Sequence, residues 1–464
     1  MDRGRAGSRG TLAGGSTPIK RKAARERIRV SVSDLRRVGL RTALSAAALL
    51  AGFVHQDCLA EATLQGANTL RLEYYDVGGD LTASPYPTEG LQAYDEIDLR
   101  FGQRYSPYHH LRGQATLLAN DSAYRNSRQG GVLERFNLVW ENGETRLPYR
   151  LEAGDQYGFF SPATLQRGIK GLALELQPRG AHPDRRQSLI LLGGSATPAW
   201  RDFDTDSDFS AGLSYAARQA DGGIALNLLN NRRAADPLAG SLARRQWVAS
   251  LAGERAWELS GQHLELEGEV GRFQGDHDGA SGAASGQDRG DLGAYLQLSG
   301  RDRVAPLNYR LRLERFGEDY RPAGAAVAAD HQAGEAHAGW TFASGLNLRG
   351  RWQVFRDGWE GPDPVATRTL GLNLGGPFWR AQRLNGVLDT FTQTRKNLSG
   401  GQDRRVQSAR LELNRPFERG VSGRLGLAWL DDDDHVAAAN SAITRQLDLD
   451  RKSTRLNSSH TDIS

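Results

Sequence analysis

From residue 68 to residue 449 the chain repeats one arrangement: a segment of about ten residues in which apolar and polar side chains alternate, followed by a turn or loop. Successive side chains of a strand point to opposite sides, so alternation of this kind describes a sheet with one apolar face and one wet face. Leu70, Leu72 and Tyr74 oppose Arg71 and Glu73; Ile97, Leu99 and Phe101 oppose Asp98 and Arg100. Leu264, Leu266 and Val270 alternate with His263, Glu265, Glu267 and Glu269. The same holds for Tyr309, Leu311 and Leu313 against Arg310, Arg312 and Glu314. Further on, Leu346, Leu348, Trp352 and Val354 oppose Asn347, Arg349, Arg351 and Gln353, and Leu411 and Leu413 oppose Arg410 and Glu412. A helical period fits none of these windows.

Segment length separates this pattern from soluble β folds, whose strands run nearer five or six residues, whereas a tilted membrane strand needs about nine to eleven. The connections add a second constraint. Tight ones are expected at 106–109, 142–144, 218–221, 301–305 and 343–345; between them lie long polar ones at 78–93, 120–131, 154–168, 195–206, 231–243, 274–291 and 317–332. Alternating short and long connections place turns on one rim of a barrel and loops on the other. After Asp357 the connections even out. Asn142-Gly143 reads as a type I′ hairpin, which needs two residues that tolerate positive φ. The fold class is therefore all-β, a transmembrane antiparallel up-and-down β-barrel of about twenty or more strands. Tyr105, Trp140, Trp257, Phe273, Phe316, Trp359 and Trp379 fall near segment ends, where interfacial aromatic girdles belong.

The formal charge of +4 comes from the two ends. Residues 1–60 hold 12 Lys and Arg against 4 Asp and Glu, and residues 451–464 hold 3 against 1. Taking these from 59 and 55 leaves 44 basic and 50 acidic residues, which removes the case for a nucleic-acid partner. Arg36, Arg37 and Arg41 precede an apolar stretch at 43–54 and then Ala60 and Ala62, the order of a signal peptide, so residues 1–60 are read as a basic extension plus signal. The only cysteine, Cys58, falls before the expected cut. Residues 61–449 form the barrel. No blade-like period of about forty residues divides them, and no plug-sized insertion interrupts them. Residues 450–464 back-translate to an adapter oligonucleotide used in short-read sequencing and are read as an assembly artefact, leaving a barrel truncated at its C-terminus.

In pattern and topology the chain resembles bacterial outer-membrane β-barrels, porins in particular, across residues 61–449. The resemblance implies passive passage of small polar solutes through a water-filled lumen. It implies as partners the outer-membrane lipid and lipopolysaccharide, the barrel-insertion machinery and a second copy of the chain in a homo-oligomer. It implies no cofactor. In porins the third long loop narrows the pore; here that position is 154–168, with Asp155, Phe159, Phe160 and Arg167 as candidate constriction residues. The same stretch resembles fimbrial ushers, but the plug and periplasmic domains of ushers are missing. An export pore or the barrel of a larger surface assembly is the alternative, and a barrel enzyme a third reading.

The candidate lumen-lining residues are Arg71, Glu73, Asp98, Arg100, Glu265, Glu267, Glu269, Arg310, Arg312, Glu314, Arg349, Arg351, Arg410 and Glu412, seven arginines against seven acids. That balance predicts weak ion selectivity or interlocked pairs filling a narrow lumen. The stripe Glu265, Glu267 and Glu269 calls for a neighbouring arginine strand. No metal site is expected: 276–279 begins like a calcium loop but lacks the later ligands, and 431–434 reads as a solvated run. Motifs for a serine elbow, a zincin helix or a phosphate loop are missing, so no catalytic residue is assigned.

Overall fold

The computed structural model describes residues 61–453 other than 78, 80–83, 87, 126–128, 179–183, 198, 207, 236–242, 277–288 and 418–420. Residues 1–60, where a basic extension plus signal is expected and Cys58 falls, positions 277–279 of the calcium-loop lookalike and residues 454–464 lie outside the described residues.

Twenty strands follow one another along the chain. They are β1 (Glu61–Tyr75), β2 (Gly90–Ser106), β3 (His109–Asn120), β4 (Gly130–Asn142), β5 (Tyr149–Ser161), β6 (Leu165–Leu176), β7 (Arg186–Ser195), β8 (Phe209–Gln219), β9 (Gly222–Arg233) and β10 (Arg244–Leu259). The second ten are β11 (Gln262–Gly275), β12 (Arg289–Asp302), β13 (Leu307–Phe316), β14 (His331–Thr341), β15 (Asn347–Asp357), β16 (Val365–Trp379), β17 (Leu384–Asn397), β18 (Asp403–Pro416), β19 (Val421–Asp434) and β20 (Ala442–Ser453). Each pairs antiparallel with its neighbour in sequence, from β1 with β2 to β19 with β20, which makes one up-and-down sheet. Residues 450–453 pair within it, opposite 421–424.

The two rims differ as the spacing predicts. One carries the connections 107–108, 220–221, 260–261, 303–306 and 342–346, and the other carries 76–89, 196–208 and 317–330. Two expectations change. Residues 154–168 are not a loop but most of a hairpin, β5 turning at 162–164 into β6. The type I′ signature falls at Ser260 and Gly261, with φ of 50° and 82°, not at Asn142-Gly143. Asn142 instead spends its side chain on the Glu144 N–H (3.0 Å), and the Gly143 N–H donates to the Tyr108 carbonyl of the neighbouring turn (2.7 Å), so a six-residue connection replaces the tight turn.

Burial runs opposite to that of a soluble sheet. Trp247 and Leu251 of β10 are exposed while Gln246 and Ser250, each next to one of them, are buried; Ile224, Leu226 and Leu228 of β9 are exposed while Asn227 and Asn231 are buried. The outward face is thus the apolar one and the inward face the polar one, the arrangement a sheet adopts when lipid surrounds it and water or protein fills it. Tyr105, Trp140 and Trp379 are exposed near the short-turn rim, as a girdle requires. Phe273 and Phe316 are not girdle residues: both are buried on the inward face.

Candidate functional site

The inward face is covered at one place by a finger formed from the tips of β5 and β6. Pairing between β4 and β5 runs only from 149 to 154 on β5, and pairing between β6 and β7 only from 170 to 176 on β6. The departure point is Gly154, whose φ is 116° and where a Cβ would lie 2.1 Å from the Phe136 carbonyl oxygen. Only glycine permits both the angle and the approach. Beyond it residues 155–169 leave the wall as a two-stranded unit and lie along the inner faces of β7 and β8. Phe160 fits over Gly212 of β8, where even a methyl group would sit 2.6 Å from its ring.

The tip is fixed by hydrogen bonds to strands far away in sequence. Ser161 donates to Glu269 of β11, and the Thr164 hydroxyl meets that of Ser250 on β10 at 2.7 Å. Asn227 of β9 donates to the Ser250 hydroxyl (3.0 Å) and Ser214 of β8 donates to Asn227 (2.7 Å). Ser250, Asn227 and Ser214 are cross-strand partners, so one polar row of the wall receives the tip. Residues 317–330 close over it: Tyr320 donates to the Ala163 carbonyl (2.9 Å), Ala326 N–H to Pro162 (3.0 Å) and Gln166 N–H to Gly324 (2.6 Å). Phe160, Ala163, Leu165, Ile169, Leu192, Leu229, Val248, Phe273, Phe316 and Tyr320 form one buried apolar cluster beneath these contacts. Burial pushes the Tyr320 hydroxyl well above the usual tyrosine range, and the Glu269 carboxylate adds to the effect.

Connection 196–208 is held at both ends by the finger's charged residues. Asp155 accepts from the Trp200 indole (2.8 Å) and from the Phe136 N–H (2.7 Å), an edge group of β4 left open where β5 departs. Lys170 pairs with the same carboxylate. At the other end Arg167 pairs with Asp208 (2.8 Å) and donates to the Ala323 carbonyl (3.0 Å). Asp208 is shared with the buried Arg244 (2.8 Å) and with Asn231 (2.8 Å). Burial works to raise the Asp208 carboxyl, but Arg167, Asn231 and Arg244 outweigh it and hold the group below the usual aspartate value.

The four candidate constriction residues therefore divide. Asp155 and Arg167 are clamps, Phe160 is an anchor in the buried cluster, and Phe159 is 51 % exposed on the finger's free face beside Tyr157, which is 63 % exposed. Trp200, Asp208, Arg244 and Tyr320 belong to the site and were not among the sequence candidates. A signal existed for the last of these: Tyr320 precedes Pro322, Ala323, Gly324, Ala325, Ala326 and Val327, an apolar run inside a connection expected to be polar.

About half of the fourteen candidate lumen residues meet a partner on the inner face. Glu73 pairs with Arg125, Asp98 accepts from Thr116 (2.6 Å), and Arg312 pairs with Glu314 (2.9 Å). Arg310 reaches Glu335 at 4.0 Å, and Glu412 lies between Arg410 (3.7 Å) and Arg424 (2.7 Å). Arg71, Arg100, Glu265, Arg349 and Arg351 are exposed. The acidic stripe is broken: Glu269 is 4 % exposed beneath the finger tip. No arginine strand adjoins it either, since Glu267 stands opposite Glu254 and Gln297, and Tyr295 separates Glu269 from β13. Among the described residues no group of three or more His, Cys, Asp or Glu could hold a metal ion.

No protein-family model matches the chain, and no curated protein does. Among solved structures it is similar to Pseudomonas aeruginosa OccK2 (OpdF) in complex with glucuronate, at 13 % identity, covering 76 % of this chain and 96 % of that one, with a TM-score of 0.36. It is similar to Pseudomonas aeruginosa OpdK with vanillate, at 13 % identity over 80 % and 98 % of the two chains and a TM-score of 0.35. For the Salmonella typhi OmpF complex with daunomycin the values are 10 %, 63 % and 89 %, with a TM-score of 0.32.

Proposed function

We propose that the protein is an outer-membrane channel for the passive passage of small polar solutes, with the finger at 155–169 as its constriction. The observation that carries this reading is the inversion of burial. An outward face bearing exposed Trp247, Leu251, Leu296 and Leu313 is unstable against water and stable against lipid, and an inward face of polar and ion-paired side chains supports a hydrated path. The finger then decides where that path is narrow. Its anchored face holds it against β7–β11, and its free face presents Phe159 and Tyr157 to the open side. The remaining wall carries hydrogen-bonded amides and hydroxyls, as in Gln353 to Glu335 (2.8 Å) and Gln393 to Thr369 (3.1 Å), together with exposed Arg349 and Arg351. Near balance of charge there favours weak ion selectivity.

The test is electrical. Refolded protein added to a planar bilayer should give discrete conductance steps, and Phe159→Ala should enlarge them. Absence of steps from folded, inserted protein would sink the channel reading; steps unchanged by Phe159→Ala and Tyr157→Ala together would leave a channel with its constriction elsewhere.

A further inference from the structure

The finger is a piece of wall turned inward, and no described strand refills the place it leaves. Residues 130–136 of β4 pair with β3 on one side, but on the other side β5 pairs only with 137–142. β7 meets β6 no further than Ser195 opposite Lys170. Where β5 and β6 depart, β4 and β7 therefore stand three strand spacings apart, about 14 Å. The break lies at the long-loop end of β4, beside connection 121–129, and follows that strand for about 23 Å.

Residues 199–206, which follow the end of β7, cross this break and meet β4 through side chains. Trp200 packs edge-on against Phe136 of β4 with ring centroids 6.0 Å apart, and stacks on Phe203 at 5.6 Å. Arg201 reaches the Gln129 carbonyl at 3.5 Å. Ala199 is fully buried, whereas Phe203 is 39 % exposed. Irregular backbone at membrane depth is stable only where protein covers it or water reaches it. A wall closed by ring contacts separates far more readily than one closed by a ladder of backbone hydrogen bonds.

Turning the finger also turned its faces. Lower on β5, Leu151 stands opposite Trp140, which is exposed on the lipid side. Asp155, Tyr157 and Phe159 belong to the same alternate set. The other set now meets the wall: a Cβ on Gly158 would lie 3.3 Å from Leu192, and Phe160 sits over Gly212. Tyr157 and Phe159 are thereby left exposed to the lumen. They share a face with Asp155, which holds the Trp200 indole at 2.8 Å, so an apolar track leads from the break to the lumen.

We infer that residues 199–206 form a side door through which single-chain amphiphiles pass between the outer leaflet and the lumen. The apolar chain lies along Phe203, Trp200, Tyr157 and Phe159, and the polar head meets the Asp155–Lys170 pair at the threshold. The inference rests on the channel reading in taking the inward face as a lumen and the long-loop rim as the outer one.

The experiment puts full-length protein in nanodiscs with a long-chain fatty acid that carries a photoreactive diazirine in its tail, and maps the labelled residues by mass spectrometry after illumination. Tyr157 and Phe159 should be labelled well above Arg351 and Gln353 on the inner face of β15, because a chain entering sideways meets the finger first. Trp200→Ala combined with Phe203→Ala should raise that labelling about fivefold, the shift in open population expected from lost ring contacts. Labelling of the exposed Trp247 and Leu251 reports that each protein is inserted. In the unaltered protein, Tyr157 and Phe159 left unlabelled beside labelled Trp247 overturns the inference without recourse to a variant. Equal labelling of all four inner residues overturns it as well, since that pattern means entry through the pore mouth, and so does labelling that the double variant leaves unchanged. Unit conductance is read from the same protein. Conductance steps without a labelled finger keep the channel and remove the door; a labelled finger without steps does the reverse.

Discussion

The inner faces of β7–β11 and of β14–β18 are made from similar residues and put to different use. Over β7–β11 the finger and residues 317–330 cover the wall, so Asn227, Ser250, Gln246 and Glu269 are buried and bond to protein. Over β14–β18 none of the described residues forms such a cover, and Arg349, Arg351 and Arg410 remain exposed beside small hydrogen-bonded pairs. The same alternation in sequence therefore yields a packed interior in one place and a wet one in another. What differs is whether a distant segment supplies partners for the polar row. Buried polar groups that lose their partner cost far more than exposed ones, so the two regions should respond very differently to substitution.

The largest effect is expected at Tyr320, which is fully buried against Phe316 and Phe273. Tyr320→Ala should weaken docking of the finger by about 3–5 kcal/mol, read as lost hydrogen-exchange protection at 156–168 with the outer strands unaffected. Protection that persists would mean the tip does not depend on 317–330. Next comes Asp208→Asn, which leaves Arg167 and the buried Arg244 without their shared carboxylate. A cost of about 2–3 kcal/mol is expected, below that of a fully buried pair because the aspartate is partly exposed.

The same residue predicts a pH dependence. Its folded value lies below the ordinary aspartate value of about 3.9. Its contribution is therefore complete above about pH 4 and is lost as pH falls through the depressed folded value. Acid titration of finger protection should show this loss in the unaltered protein and not in Asp208→Asn. An identical acid response in both would assign it to another group.

Gly212→Ala should displace Phe160 from its seat at a cost of about 1–3 kcal/mol, measured by denaturant unfolding in detergent. The smallest stability effect belongs to the open region. Arg351→Gln should change stability by no more than about 0.5 kcal/mol while shifting reversal potentials toward cations in a salt gradient. A large loss of stability there would erase the contrast between the two regions.

The wall was legible because its signal is local. Alternation along one strand and the length of one connection need no knowledge of the rest of the chain, and both predicted the strands and the two rims. The finger was legible only in position. Residues 154–168 stood out for their composition and the chain does leave the wall at Gly154, yet the segment continues as paired strands, which a loop reading does not anticipate. Its docking was not legible at all, since Ser161 meets Glu269 across 108 residues and Tyr320 meets Ala163 across 157. Local pattern carries no record of such meetings. The same limit explains the misplaced Phe273 and Phe316, whose position near strand ends fits a girdle equally well, and the intact acidic stripe, which requires knowing that Glu269 is covered.

The central claim is that an anchored finger narrows a hydrated path through the sheet. The most direct measurement is unit conductance in planar bilayers for the unaltered chain and for a chain in which 156–168 is replaced by a short glycine turn joining Asp155 to Ile169. A larger unit conductance in the shortened chain, with insertion unimpaired, is the predicted result. Equal conductance from the two would contradict it.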